Sequence, residues 1–359
     1  MKEMSKAKII DKKSEKSVKS ERELLSKINH PFLVNMHFSF QDNDHLYLVM
    51  DLLTGGDLRY HICKNKKFSE AQSKFFISCI ILGLEYCHVN KIIHRDIKPE
   101  NLVLDSLGYV HITDFGIAKI QQENNYKETS GTPGYMSPEV MCGQNHTIAV
   151  DYFALGVMGF EFMKGYRPYL GKNRKEIKEK MMSKQAKINR HDIEAGWSFE
   201  SSDFINHLLI RKAKERLGYN GPQELKTHNW FKKYDWADLY NKKISAPFKP
   251  EGEENFDYKY CNAVEKQGIH TKERYAEIVL NDNYKEIFSD YFYFNRYIKC
   301  NLCQQFENIH DKIYKRSYKK RENKYYTLNV ENNYLNNNKI DHHRNKSMAN
   351  IENYKKIKQ

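Results

Sequence analysis

The sequence predicts an α+β protein of two lobes, a small β-rich lobe followed by a larger, mainly helical one. Three features predict it. Residues 36–40 and 45–50 read as strands joined by the turn residues Gln41-Asp-Asn-Asp44. Ser69-Glu-Ala-Gln72 has the spacing of a capping box, and a long apolar helix runs from it to about Asn90. From about Thr147 to Lys164 a further helix, VDYFALGVMGFEFM in part, is apolar all round. Such a helix has no face to offer water, so it belongs at the centre of the larger lobe.

The other elements follow in order. Residues 14–29 have helical spacing, with Val18, Leu24, Leu25 and Ile28 as the apolar positions. Gly55-Gly56 breaks the chain, and Asp57 is placed to cap the next helix. Short loops and strands lead to Asp114, and more helices reach Phe231. From Asp235 to about Tyr293 the composition is mixed, with Pro247, Pro250 and many aromatics, which suits a segment wrapped over a surface. Beyond Asn295 the chain is rich in Asn, Lys and Tyr with few branched aliphatics, and the composition predicts disorder.

Charge and cysteine usage narrow the class. The formal net charge of the 359 residues is +13, and residues 295–359 carry a surplus of nine positive charges. A nucleic-acid or acidic-partner reading therefore applies to the tail and not to the globular part. Nucleic acid ranks last, because no recognised binding fold accompanies the charge. Seven cysteines, an odd number spread through apolar segments, predict reduced thiols and a cytoplasmic or nuclear protein. Cys300-Asn-Leu-Cys303 is a lone CxxC, too few ligands for tetrahedral zinc even with His310 added. No segment is long and apolar enough to span a bilayer, and the first residues lack the apolar stretch of a signal peptide.

Three constellations carry chemistry. His94-Arg-Asp-Ile-Lys-Pro-Glu-Asn101 comes first, then Asp114-Phe-Gly116, then Gly131-Thr-Pro-Gly-Tyr-Met-Ser-Pro-Glu139, with Asp151 opening the apolar helix. In this order and spacing they resemble the signatures of protein kinases. The resemblance implies ATP and Mg²⁺ as cofactors. It assigns Asp96 to orient the substrate hydroxyl and accept its proton, and Asn101 and Asp114 to hold Mg²⁺ through hard oxygen ligands. Lys98 reaches the transferring phosphoryl group and marks the Ser/Thr branch. Thr132 contacts the catalytic aspartate.

From Met1 to about Pro250 the chain resembles the AGC group, the relatives of cyclic-AMP-dependent protein kinase. Residues 30–62 are especially similar to the YANK-type members. The likeness divides the chain into a truncated small lobe (1–53), a large lobe (54–231), an AGC-type C-terminal tail (232–294) and the basic tail (295–359). Lys2 and Glu21 match the ion pair between the third strand and the αC helix, where the lysine holds ATP phosphates. Met50 matches the gatekeeper, Asp51 to Leu53 the hinge that binds adenine, and Val103 a further cofactor-binding position. Leu25, Met36, His94 and Phe115 match the stacked apolar column of active kinases, and Glu139 and Arg216 a structural buried pair. Asp57, Glu100 and Glu161 match the carboxylates that bind substrate arginines, which implies protein substrates with basic residues near the phosphoacceptor. Asn255-Phe-Asp257 resembles the tail segment that passes the ATP pocket, and Phe288-Ser-Asp-Tyr-Phe292 the motif that docks on the small lobe.

There are departures. The glycine-rich loop and its two strands would precede Lys2, so the expectation is a sheet of two strands and a stub. An incomplete gene model is the leading explanation and a real truncation the alternative. An active Ser/Thr kinase is expected first, and a non-catalytic kinase-fold binding module second. Glu128 stands where relatives carry a phosphothreonine, with Thr129 beside it and Arg95 and Lys119 as its basic partners. Phe292 replaces the usual Ser/Thr of the docking motif.

Overall fold

A computed structural model of the chain describes residues 1–125, 129–251, 255 and 287–294, all within a compact unit bounded by Met1 and Asn295. Strand β1 (Lys2–Ser5) runs directly into helix α1 (Lys6–Asp11), whose N-terminus is capped by the Ser5 side chain accepting from the Lys8 N–H. Helix α1 is not among the elements that the sequence predicts. Six residues are too few to show a period, and the helix exists because Ala7, Ile9 and Ile10 are buried. Helix α2 (Glu15–Lys27) fills the predicted span and turns Leu24 and Leu25 inward.

Strands β2 (Met36–Gln41) and β3 (His45–Met50) form the predicted hairpin. Its turn is fixed by Asp42, whose Oδ1 accepts from the N–H groups of Asp44 and His45 at 2.8 and 2.7 Å. β3 buries Leu46 and Leu48 and pairs on its other side with β1. The sheet is wider than the sequence predicts. A short strand from the tail, β8 (Tyr293–Phe294), pairs with β2, giving the order β1-β3-β2-β8. The outer edge of β2 would otherwise leave its backbone donors and acceptors unpaired, and β8 satisfies part of that edge.

In the large lobe, Asp57 caps α3 (Leu58–Asn65), and the Ser69–Gln72 capping box opens α4 (Glu70–Val89) with both of its bonds formed. Two small antiparallel ribbons follow: β4 (Ile92–Ile93) with β7 (Lys119–Ile120), and β5 (Leu102–Leu104) with β6 (Val110–Ile112). After α5 (Pro138–Met141) comes α6 (Ala149–Lys164), buried at every position from Ala149 to Met163. It is packed by α4 and by α8 (Phe199–Leu208), with α7 (Arg174–Ser183) between α6 and α8 in sequence. Gly156 permits the α6–α8 contact, since a Cβ there would lie 2.7 Å from Leu208 Cβ. Helices α9 (Gln223–Lys226) and α10 (Trp236–Tyr240) complete the lobe. Among the described residues no helix is long and apolar enough to cross a membrane.

The described parts of the tail return to the body. Phe248 packs its ring on His61 and Phe76. Asn255 donates to the Thr54 carbonyl at 3.2 Å. Phe288 and Tyr291 are buried at 1% and 0% exposure in the core that holds α2. Phe256, Asp257, Cys300, Cys303, His310 and the basic tail lie outside the described residues.

Candidate active site

The predicted catalytic residues meet at the end of β4, where the chain turns between two ribbons. Arg95 and Asp114 both have positive φ, 68° and 60°, a backbone that L residues with side chains rarely adopt. The buried Asp151 at the start of α6 secures the first of these turns. Its Oδ2 accepts from the His94 N–H at 3.0 Å and from His88 Nε2 at 2.9 Å, and its Oδ1 accepts from the Arg95 N–H at 2.8 Å. Burial alone would push the Asp151 carboxyl up, but these donors outweigh it and the net shift is down, so a negative charge is held inside the lobe. The sequence marked Asp151 by position, and the structure supplies its part as the brace of the catalytic loop.

Asp96 is met from three sides. Its Oδ1 accepts from the Thr132 hydroxyl at 2.7 Å and the Thr132 N–H at 3.0 Å. Its Oδ2 lies 2.6 Å from Lys98 Nζ and 3.1 Å from Asn101 Nδ2. Lys98 also donates to Thr132 Oγ1 at 2.9 Å, which closes a ring of Asp96, Lys98 and Thr132. Burial raises the Asp96 pKa, yet the bonds from Lys98 and Thr132 outweigh it, and the carboxyl titrates below the ordinary aspartate value. Such a group orients a hydroxyl in the ground state and is a weak base until the hydroxyl becomes acidic.

The chemistry of the donors fits a hard cation. Asn101 commits its amide nitrogen to Asp96, donating to the carbonyl at 2.9 Å as well as to the carboxylate, so its Oδ1 is the atom left to act as a ligand. Asp114 is exposed, with one oxygen accepting from the Gly116 N–H at 3.2 Å. An amide oxygen with an accessible carboxylate suits Mg²⁺, which keeps several waters of its own. Behind Asp114, Phe115 is fully buried edge-on against His94 at 5.0 Å between ring centroids. Leu25 and Met36 are buried in the same core.

On the small-lobe side Lys2 Nζ lies 2.7 Å from Glu21 Oε1, joining β1 to α2 as the resemblance implies. Met50 ends β3 half-buried, and Asp51 to Leu53 continue without regular structure. The Asp51 carboxylate is engaged by the Asn35 backbone and side chain and by His37, at 2.8 to 2.9 Å. Val103 bridges to Asp57 across the opening of the large lobe. Thr129 gives its carbonyl to Arg174, Lys119 is exposed on β7, and the Arg95 guanidinium donates to the Ile117 carbonyl at 2.8 Å. Glu128 lies outside the described residues.

Two of the three acids expected to bind arginine, Glu100 and Glu161, already meet an arginine of this chain. Arg59, on α3, donates through Nε to Glu100 and through Nη1 to Glu161, both at 2.9 Å. Arg59 is absent from the residues that the sequence singles out, because it looks like a surface residue of a short helix until α6 and the catalytic loop are placed beside it. Asp57 accepts the Tyr60 N–H with one oxygen, and burial followed by the nearby Glu100 charge raises its pKa.

Comparison with known proteins agrees with this geometry. Residues 1–231 match the family model described as the protein kinase domain. The chain is 39% identical over 282 residues to a probable serine/threonine-protein kinase of Dictyostelium discoideum, covering 76% of this chain and 60% of that one. It is 33% identical over 293 residues to the cAMP-dependent protein kinase catalytic subunit of the same organism, covering 81% and 44%. It is also 33% identical over 286 residues to the serine/threonine-protein kinase gad8 of Schizosaccharomyces pombe, covering 78% and 49%. The chain therefore spans less than two thirds of the length of these relatives. With its helical large lobe, small β lobe and Asp96–Lys98–Thr132 cluster, the chain belongs to the protein kinase domain family, among the Ser/Thr kinases related to the AGC group.

Proposed function

We propose that this chain transfers the terminal phosphoryl group of ATP to serine or threonine hydroxyls of protein substrates, in the cytoplasm or nucleus. The observation that carries the reading is the closed set of contacts on Asp96, from Thr132, Lys98 and Asn101 at 2.6 to 3.1 Å. In this reading Asp96 receives the substrate hydroxyl in place of one of its present partners, points its oxygen along the transfer line and takes its proton as the new bond forms. Lys98 swings from Asp96 to the charge that builds on the transferring group. Thr132 keeps the activation segment tied to the catalytic loop. Lys2, fixed by Glu21, holds the phosphates, while Asn101 and Asp114 hold Mg²⁺. The bound nucleotide and its metal supply the phosphoryl group and screen its charge. The four described cysteines, Cys63, Cys79, Cys87 and Cys142, are free thiols, which supports the placement in a reducing compartment. The likeness of residues 30–62 to the YANK-type members is our finer reading within the group that the comparisons reach.

The test is Asp96→Asn in the 359-residue chain, assayed by transfer to a Ser peptide library. Transfer should fall by about 100-fold or more, the usual worth of a positioned general base. An Asp96→Asn variant as active as the parent would remove Asp96 from the mechanism. A parent that binds peptides and transfers nothing would favour the kinase-fold binding module.

A further inference from the structure

The acidic subsite beside the catalytic loop is filled from within. Arg59 makes a three-sided contact there. Nε donates to Glu100 at 2.9 Å, Nη1 and Nη2 donate to the two oxygens of Glu161 at 2.9 and 3.3 Å, and Nη2 also donates to the Tyr135 hydroxyl. Tyr135 in turn donates to Glu161 at 2.6 Å. The fork on Glu161 is the bidentate geometry by which a carboxylate takes a guanidinium. It is a desolvated contact, since the Glu161 side chain is 5% exposed and that of Arg59 27%. Burial works against the Arg59 charge, and the hydrogen bonds it donates to Glu161 and the charges around it more than restore it, so the guanidinium stays ionised.

Two further features keep a second guanidinium out. The open cavity at this place, about 330 Å³, is lined by Glu100, Glu161 and Tyr135 but also by Arg59 and Arg167. Arg167 stands 5.6 Å over the Tyr135 ring, and a Cβ on Gly134 would collide with its Nη1. The two glutamates of the lining are thus balanced by two arginines. Asp57, the third acid, already caps α3 with one oxygen, and its rise in pKa reflects a half-buried carboxyl. An incoming arginine would have to displace Arg59 from a chelating pair of oxygens and sit beside Arg167. Arg59 loses no entropy of association by staying where it is, whereas a substrate side chain does on arrival.

We propose that Arg59 is a specificity-determining residue that occupies, from inside the chain, the guanidinium subsite formed by Glu100, Glu161 and Tyr135, so that this kinase takes substrates without selecting arginine there. The inference rests on the kinase reading above, and it departs from the preference for basic substrates that the three acids imply by resemblance. Glu100 and Glu161 are present, but their ligand is Arg59.

The experiment reads binding, so that it does not depend on turnover. Fluorescein-labelled Ser peptides carry arginine, or its neutral isostere citrulline, at each position from five before to two after the serine, and their affinities for the 359-residue chain are measured by anisotropy. The parent should bind each pair equally within about threefold. Arg59→Ala should bind arginine over citrulline by about tenfold or more at one or two positions, and Glu161→Gln added to it should abolish the gain. A parent that prefers arginine tenfold at any position overturns the proposal, whether or not Arg59→Ala folds. So does a folded Arg59→Ala, with the parent's circular dichroism, that gains no arginine preference. Phosphate transfer from ATP to the same peptides is followed in parallel. Its failure would count against the kinase reading while the affinity ratios still decide the subsite.

Discussion

At the scale of single residues, the site is set by which charged groups are buried with partners and which are not. Asp96 keeps its charge because Lys98 and Thr132 bond to it, and Glu161 meets the charge of Arg59. His30 is the opposite case. It is 6% exposed among the rings of Phe32, Tyr86 and Tyr240, with Nδ1 accepting from the Phe32 N–H. Burial, with His111 adding to it, lowers its pKa from 6.5 to about 4. A histidine depressed in this way stabilises the fold fully above its unfolded pKa, near ~6.5, and loses that contribution as pH falls towards the folded value. The loss across that window should be about 3.5 kcal/mol at most, at about 1.4 kcal/mol for each pH unit between the unfolded and folded pKa. Thermal midpoints of the parent should therefore fall between pH 6.5 and 4, and His30→Phe should flatten that slope. Parallel slopes in parent and variant would show that other groups carry the acid sensitivity.

At the scale of elements, α2 matters most, because it carries Glu21 to Lys2 and is held from outside by the tail. Arg22 donates to the Asp290 carbonyl, Lys19 lies 3.0 Å from the Asp290 carboxylate, and Gln41 on β2 bonds to the Phe288 carbonyl. Phe288 and Tyr291 supply the apolar part. The position expected to carry a phosphorylatable hydroxyl is Phe292, and the contacts here are made by a permanent carboxylate and two rings. Phe288→Ala should cost about 3–5 kcal/mol, as for other fully buried phenylalanines, or release the tail locally at a smaller cost. In either case hydrogen exchange at α2 amides should quicken, and transfer to peptide should fall about tenfold as Glu21 loosens from Lys2. Exchange at α2 unchanged in Phe288→Ala would mean that the tail packs on a helix already rigid without it.

At the scale of the whole molecule, the large lobe is organised around α6, with charged pairs sealed against it. Arg216 is fully buried and holds Glu139 through two bonds of 2.7 and 3.0 Å, while donating also to the Ala149 and Ile210 carbonyls. This ties the end of the activation segment to the start of α6. Arg216→Met would leave the Glu139 carboxylate buried without its partner, at a cost of about 3–5 kcal/mol. The midpoint of thermal unfolding should drop by several degrees, and Glu139→Leu in the same chain should recover part of it. A single mutant as stable as the parent would show that water reaches Glu139 and that the pair is no brace.

By itself the sequence determined the two-lobed α+β class, the hairpin of β2 and β3, the capping box of α4, the burial of α6 and the residues of the Asp96–Lys98–Thr132 cluster. Each of these is written in local spacing: period two, period 3.6, a cap three residues from its partner, or an eight-residue block whose chemistry needs those residue types together. Three things were decided by tertiary structure. Helix α1 is too short to show a period and exists because its apolar residues find a core. Strand β8 pairs with β2 from the far end of the tail, on an edge whose hydrogen bonds no local pattern announces. Arg59 is separated by 41 residues from Glu100 and by 102 from Glu161, so nothing in its surroundings along the chain says that it is packed against both. The sequence shows which residues can carry charge. Whether a carboxylate faces a substrate or an arginine of its own chain depends on which elements the fold brings side by side, because the strength of that contact comes from desolvation and geometry and not from the residue types alone.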